Sequence, residues 1–158
     1  MFSGRFARRT ARRYRRRGLS RSARALVGFL ADRGIDGATV LKIGGGVGQV
    51  QVELLRRGAA RAVNLELATS YEAEAAQLLK SSGLGGRVER RFLDIAQSPG
   101  EVEPADVVVL HRVVCCYPDT SVCWRRPGAR RAGCWCSAIH HATRPPGRSC
   151  GWTTSGAG

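Results

Sequence analysis

The chain has 158 residues, 43% of them hydrophobic, which is enough for one domain with a core and little more. Its formal charge of +14 is carried by the ends: residues 1–24 hold ten Arg and no acid, residues 120–158 hold six Arg and no acid, and the stretch between holds ten basic against twelve acidic residues. This placement excludes a uniformly basic polyanion binder, and no run approaches the roughly 20 apolar residues of a membrane span.

The Arg-rich start is not followed by the apolar stretch and small-residue cleavage site of a secretory signal, so a cytoplasmic protein is expected. Residues 1–24 read as a helical arm held down by Phe6 and Tyr14. Clustered Arg also suits a polyanion such as RNA, but the arm reads better as a solvated helix over a ligand pocket. Nucleic acid is therefore not the expected partner. Ser20 is placed to cap a helix in which Ala23, Leu26, Val27 and Leu30 recur at helical spacing, ending near Gly34.

Ala38 to Ile43 is short, β-branched and apolar, and it stops at Gly44-Gly-Gly-Val-Gly48 before an amphipathic stretch containing Val50, Val52, Leu54 and Leu55. Strand, glycine turn and helix are predicted. A second strand follows over Ala62–Leu67, a helix over Tyr71–Lys80, a third strand over Val88–Leu93 and a fourth over Ala105–Val114. Strands alternating with helices predict an α/β protein of Rossmann-like, three-layer α/β/α type, with a parallel sheet of about four strands and right-handed crossovers.

In such sheets ligands bind beyond the carboxyl ends of the strands, near the point where strand order reverses. The chemistry-bearing residues fall there. Gly44, Gly46 and Gly48 follow strand one, where a helix N-terminus faces the ligand. Glu66 ends strand two, placed to accept both hydroxyls of a ribose, and Leu67 follows it. Asp94 and Ile95 follow strand three, where the carboxylate can accept from an adenine amino group, and His111 with Arg112 ends strand four. The glycines read G-x-G-x-G. A dinucleotide fingerprint would need glycine at Gln49, and a P-loop would need Gly-Lys-Ser/Thr. S-adenosylmethionine is favoured over NAD, and a nicotinamide-dependent enzyme is the lesser alternative.

Val40-Leu-Lys-Ile-Gly-Gly-Gly-Val-Gly48, Asn64-Leu-Glu66, Phe92-Leu-Asp94 and the run from Asp106 to Asp119 resemble class I methyltransferases. The likeness is to small bacterial members distantly similar to magnesium-protoporphyrin O-methyltransferases. It covers residues 1 to about 119, with residues 25–119 as the cofactor-binding core. The resemblance implies that Gly44, Gly46 and Gly48 line the methionine and ribose, that Glu66 holds the ribose hydroxyls, and that Asp94 and Ile95 flank the adenine. It further implies methyl transfer from S-adenosylmethionine to a small-molecule acceptor, and the Arg-rich arm would suit an acidic one. Such enzymes carry an acid where this chain has Lys42, so repulsion of the cofactor's ammonium and sulfonium is expected. Methyl transfer demands alignment more than side-chain chemistry, and no catalytic residue is required; His111 reads as a cofactor-binding residue that packs beside the cofactor, with a general base as the lesser alternative.

Residues 120–158 have a different character. Cys134, Cys136, His140, His141 and Cys150 offer zinc ligands, but at no familiar spacing. A shifted reading frame accounts for more. Cys and Trp codons begin with TG and become Leu, Met or Val one frame over, so Cys123-Trp124 and Cys134-Trp-Cys136 shadow apolar runs. Restoring one base near the codons for Asp119 and Thr120 gives a helix, a glycine turn and a fifth β-strand. The expectation is an irregular, out-of-frame tail over 120–158, a chain truncated at about 119, and strand four left at an open sheet edge.

Overall fold

The computed structural model describes residues 3–113 and the backbone of residues 133–137. Two helices lead into the sheet. Helix α1 (Gly4–Arg17) turns Ala7, Ala11 and Tyr14 inward and leaves its arginines exposed. Helix α2 (Arg21–Asp32) starts where the sequence predicts, with the Ser20 hydroxyl accepting from the Ala23 N–H at 3.3 Å.

Strand β1 (Thr39–Ile43) runs into the glycine turn and helix α3 (Gln49–Arg56). Strand β2 (Arg61–Glu66), helix α4 (Glu72–Ser82) and strand β3 (Val88–Phe92) complete two crossovers, and strand β4 (Val107–His111) returns to the far side of β1. These bounds lie within about two residues of the predicted ones, except that β4 begins at Val107 and ends at His111. The start of β4 is tied to the start of β1 because Asp106 Oδ2 accepts from both the backbone N–H and the hydroxyl of Thr39, each at 2.8 Å. Those donors hold the Asp106 carboxyl below its usual range.

All pairings are parallel, in the order β3-β2-β1-β4-β5. Strand β5 (Gly133–Ser137) lies in the segment expected to be irregular, and it pairs with β4 in the register Val107↔Gly133 to His111↔Ser137. Strand β4 is therefore not an edge. An open parallel strand presents a row of unpaired N–H and C=O groups, and Cys-Trp-Cys is compatible with an extended chain. The position coincides with that of the fifth strand in the restored reading, opposite Cys134–Cys136.

The alternation along each strand divides the core. Val40, Ala62 and Val109 face one side and join a cluster containing residues of all four helices, among them Ala7, Val27, Leu54 and Leu78. Leu41, Ile43, Leu65 and Leu110 face the other side, where they meet Val102 and the partly buried Leu93, Ile95 and Ala105. Among the described residues, then, the helices form one layer on one face of the sheet; the third layer expected from the sequence would fall outside them. The β1-α3-β2-α4-β3 path explains this, since right-handed crossovers moving in one direction stack their helices on one side.

Candidate functional site

Strand order reverses between β1 and β4, and the predicted site residues gather along the carboxyl ends of β3, β2, β1 and β4. The glycine turn sits at the centre. Gly44, Gly46 and Gly48 all have positive φ, at 63°, 55° and 90°. Gly48 is the residue from which α3 starts, so its left-handed backbone sets the direction of that helix. Gly45 is required for a different reason: a Cβ there would overlap the side-chain amide of Asn64. Close approach by a ligand would also favour glycine in this turn. The structure adds that backbone conformation and packing against Asn64 demand glycine in any case.

Glu66 organises the turn. Its Oε2 accepts from the Gly46 N–H at 2.7 Å, and its Oε1 accepts from the N–H groups of Leu67 and Ala68 at 2.9 and 3.0 Å. One carboxylate thereby joins the end of β2 to the turn after β1, twenty residues earlier. Oε2, with one N–H donor, retains a lone pair for a hydroxyl donor, whereas both lone pairs of Oε1 are used. Asp94, at the end of β3, accepts from the Ala96 N–H at 3.0 Å and is half-buried, as is Ile95.

Phe92 was not among the predicted site residues. It is 68% exposed at the end of β3 and stands in register with Glu66, while the neighbouring Leu67 is 46% exposed. Exposed apolar faces next to a carboxylate are what a purine base stacks on. The signal was available in Phe92-Leu-Asp94, but a strand's last aromatic residue ordinarily reads as core.

The β1–β4 side is different. Lys42 is 2% exposed, and its Nζ donates to the Ile43 carbonyl at 2.7 Å and the Gly44 carbonyl at 2.9 Å. Burial lowers this amine to about 7, with Glu66 pulling it back up. Lys42, Asn64 and Arg90 stand in register across β1, β2 and β3, and therefore on one face of the sheet. Arg90 donates to Glu72 at 2.6 Å and to the Gly46 carbonyl at 3.1 Å.

His111 ends β4, with its Nε2 3.2 Å from the Ser22 hydroxyl. Burial, then the charges of Lys42 and Arg112, lower it to about 4, which leaves a neutral imidazole at neutral pH. Arg112 is exposed at φ 59°, the one non-glycine residue with positive φ among the described residues. A strand that ends in such a conformation turns the chain sharply beside the site.

The Arg-rich arm is anchored near this crevice. The Tyr14 hydroxyl donates to Glu53 on α3 at 2.6 Å, and burial followed by that hydrogen bond raises the phenol above its usual range. Phe6 meets Tyr71 edge to face at 6.5 Å, and Tyr71 lies beside Gly46. Among the described residues no group of His, Cys, Asp and Glu could hold a metal ion, and no helix is long and apolar enough to cross a membrane. The zinc reading of Cys134, Cys136, His140, His141 and Cys150 concerns side chains outside the described residues.

The parallel sheet, the glycine turn and the acidic residues ending β2 and β3 define the fold of the class I methyltransferases. Solved structures agree. The chain is similar to a candidate S-adenosylmethionine-dependent methyltransferase from Methanococcus maripaludis, at 19% identity over 79% of this chain and 57% of that one, with a TM-score of 0.63. It is also similar to the magnesium protoporphyrin IX methyltransferase of Synechocystis, at 24% identity over 64% of this chain and 48% of that one, with a TM-score of 0.54. The chain spans about half the length of the solved structures it matches. No family model and no curated protein matches the sequence.

The nucleoside end of the crevice fits the cofactor that this fold implies. Glu66, Phe92, Asp94 and Ile95 supply a carboxylate pair and apolar faces. The end beside Lys42 fits less well, since a cation already occupies two turn carbonyls.

Proposed function

We propose that this chain binds S-adenosylmethionine along the carboxyl ends of β3, β2 and β1, and serves methyl transfer to a small, acidic acceptor in the cytoplasm. The observation that carries the reading is Glu66, whose carboxylate ends β2 and grips the glycine turn through the Gly46 N–H at 2.7 Å. In this reading Gly44, Gly46 and Gly48 border the methionine and ribose, Glu66 accepts from the ribose hydroxyls, and Leu67, Asp94 and Ile95 enclose the adenine. The cofactor, when bound, supplies an activated methyl group on its sulfonium. What remains for the chain is to orient donor and acceptor and to exclude water. His111, neutral and held by Ser22, is placed to take a proton from an acceptor hydroxyl.

The acidic acceptor is argued from the exposed arginines of α1, a helix anchored beside the turn through Phe6 and Tyr71. The same face favours a second reading, salt-dependent binding of a polyanion. A titration with S-adenosylhomocysteine separates the two. Saturable binding that weakens about tenfold or more in Glu66→Gln or Asp94→Asn supports the methyltransferase reading. Salt-sensitive RNA binding without nucleoside binding supports the other.

The proposed organisation is an arm over 1–24, a cofactor core over 25–119 and an out-of-frame continuation over 120–158. The place of β5 supports the last part, because it lies where the restored reading has its strand. Sequencing the DNA around the codons for Asp119 and Thr120 tests it: a neighbouring frame closed by stop codons contradicts a lost base.

A further inference from the structure

We infer that the crevice takes adenine nucleosides whose 5′ substituent carries no net positive charge in preference to the methyl donor, whose sulfonium and ammonium outnumber its one carboxylate, because the Lys42 ammonium already sits on the Ile43 and Gly44 carbonyls at the β1–β4 end. The inference rests on the proposed placement of a nucleoside across Glu66 and Asp94.

The strand order fixes where a 5′ substituent must go. With the nucleoside across the ends of β2 and β3, a substituent that stays in the crevice continues over β1 toward β4, along the order β3-β2-β1-β4. There it meets the Gly44 end of β1. The Ile43 and Gly44 carbonyls point their lone pairs at Lys42 Nζ, at 2.7 and 2.9 Å, so an incoming ammonium finds these acceptors taken. The amine is buried, at 2% exposure, and cannot swing into water without opening the core. Screening by solvent is therefore weak at this point.

Charge at this end is one-sided. Arg112 follows His111 directly, and the charges of Lys42 and Arg112 both bear on the imidazole. The carboxylate that bears on Lys42 is Glu66, which already accepts three backbone N–H groups. S-adenosylmethionine brings a sulfonium and an ammonium here against a single carboxylate, a net positive charge, whereas 5′-methylthioadenosine keeps the same nucleoside with an uncharged thioether. A net positive charge brought beside a buried cation is repelled, and the repulsion grows as solvent screening falls. The end that recognises the nucleoside is untouched by this conflict, so selection acts on the tail alone.

The experiment is calorimetric titration of the full chain at about pH 6, where a lysine is protonated, with S-adenosylmethionine, S-adenosylhomocysteine and 5′-methylthioadenosine. The expected result is 5′-methylthioadenosine tightest and S-adenosylmethionine weakest, about tenfold or more apart. Lys42→Met should bring the three within about threefold of one another, and Lys42→Glu should reverse the order. The methionine variant guards against a glutamate variant that does not fold. Equal affinities in the wild-type chain, or a preference for S-adenosylmethionine that survives in Lys42→Met, overturn this inference and leave the nucleoside reading intact. Binding of none of the three overturns both.

Discussion

The two ends of the crevice are built on opposite principles. At the β2–β3 end the carboxylates of Glu66 and Asp94 accept backbone N–H groups and remain partly open to solvent, with Phe92 and Leu67 exposed beside them. At the β1–β4 end the charge is positive, and Lys42 is sealed under the turn and satisfied by its own chain's carbonyls. One end is an acceptor surface waiting for donors; the other is a donor already paired. The two ends of the proposed site thus differ in sign, and the difference at the β1–β4 end rests on one buried side chain.

The largest effect is expected at Glu66. Glu66→Ala removes an acceptor for three backbone N–H groups, and its loss is expected to cost more than about 2 kcal/mol of stability together with nucleoside binding. Thermal unfolding and titration measure the two, and an unchanged melting temperature would mean that the turn does not depend on this carboxylate. Lys42 sharpens the contrast. The unfolded chain keeps the Lys42 proton to about 10.5, and the folded chain only to about 7. Unfolding therefore takes up a proton between those values, and stability rises with pH across that window, by at most ~1.4 kcal/mol per unit. Lys42→Met should flatten this dependence and raise stability at about pH 6; urea unfolding at several pH values decides it.

Packing beneath the turn gives the next effect. Gly45→Ala drives a Cβ into the Asn64 amide and should destabilise by about 1–3 kcal/mol. The double variant with Asn64→Ala should recover much of that loss, whereas additive losses would show that the overlap is not its cause. A smaller change is expected at the arm. Tyr14→Phe removes the 2.6 Å bond to Glu53 and should cost about 1 kcal/mol while leaving the nucleoside end alone. Finally, His111 should titrate near 4 rather than in the ordinary histidine range, so its imidazole proton shifts should stay flat from neutral pH down to about 5.

Much of this was legible before the structure. The order of strands and helices, the Ser20 cap, and the placement of Glu66, Asp94 and His111 at strand ends follow from periodicity and turn residues, which are local signals. What escaped depends on contacts distant in sequence. Nothing around Gly45 announces that Asn64, on the next strand, forbids a side chain there. Phe92 was passed over because exposure at a strand end depends on what passes over it. Lys42 was expected as a cation facing the ligand. Its engagement with the Ile43 and Gly44 carbonyls needs the turn's full geometry, including the positive φ of Gly44. Strand β5 escaped because 133–137 carries no alternating pattern of its own and is placed by the edge of β4.

The most direct measurement is the amide spectrum of the isotopically labelled chain during titration with 5′-methylthioadenosine. Saturable shifts concentrated at Gly44–Gly48, Glu66–Leu67 and Asp94–Ile95 are expected, with α1 little changed. Shifts confined to the arginines of α1, or none anywhere at ligand concentrations in the millimolar range, about 4 kcal/mol of affinity, would contradict the proposed site.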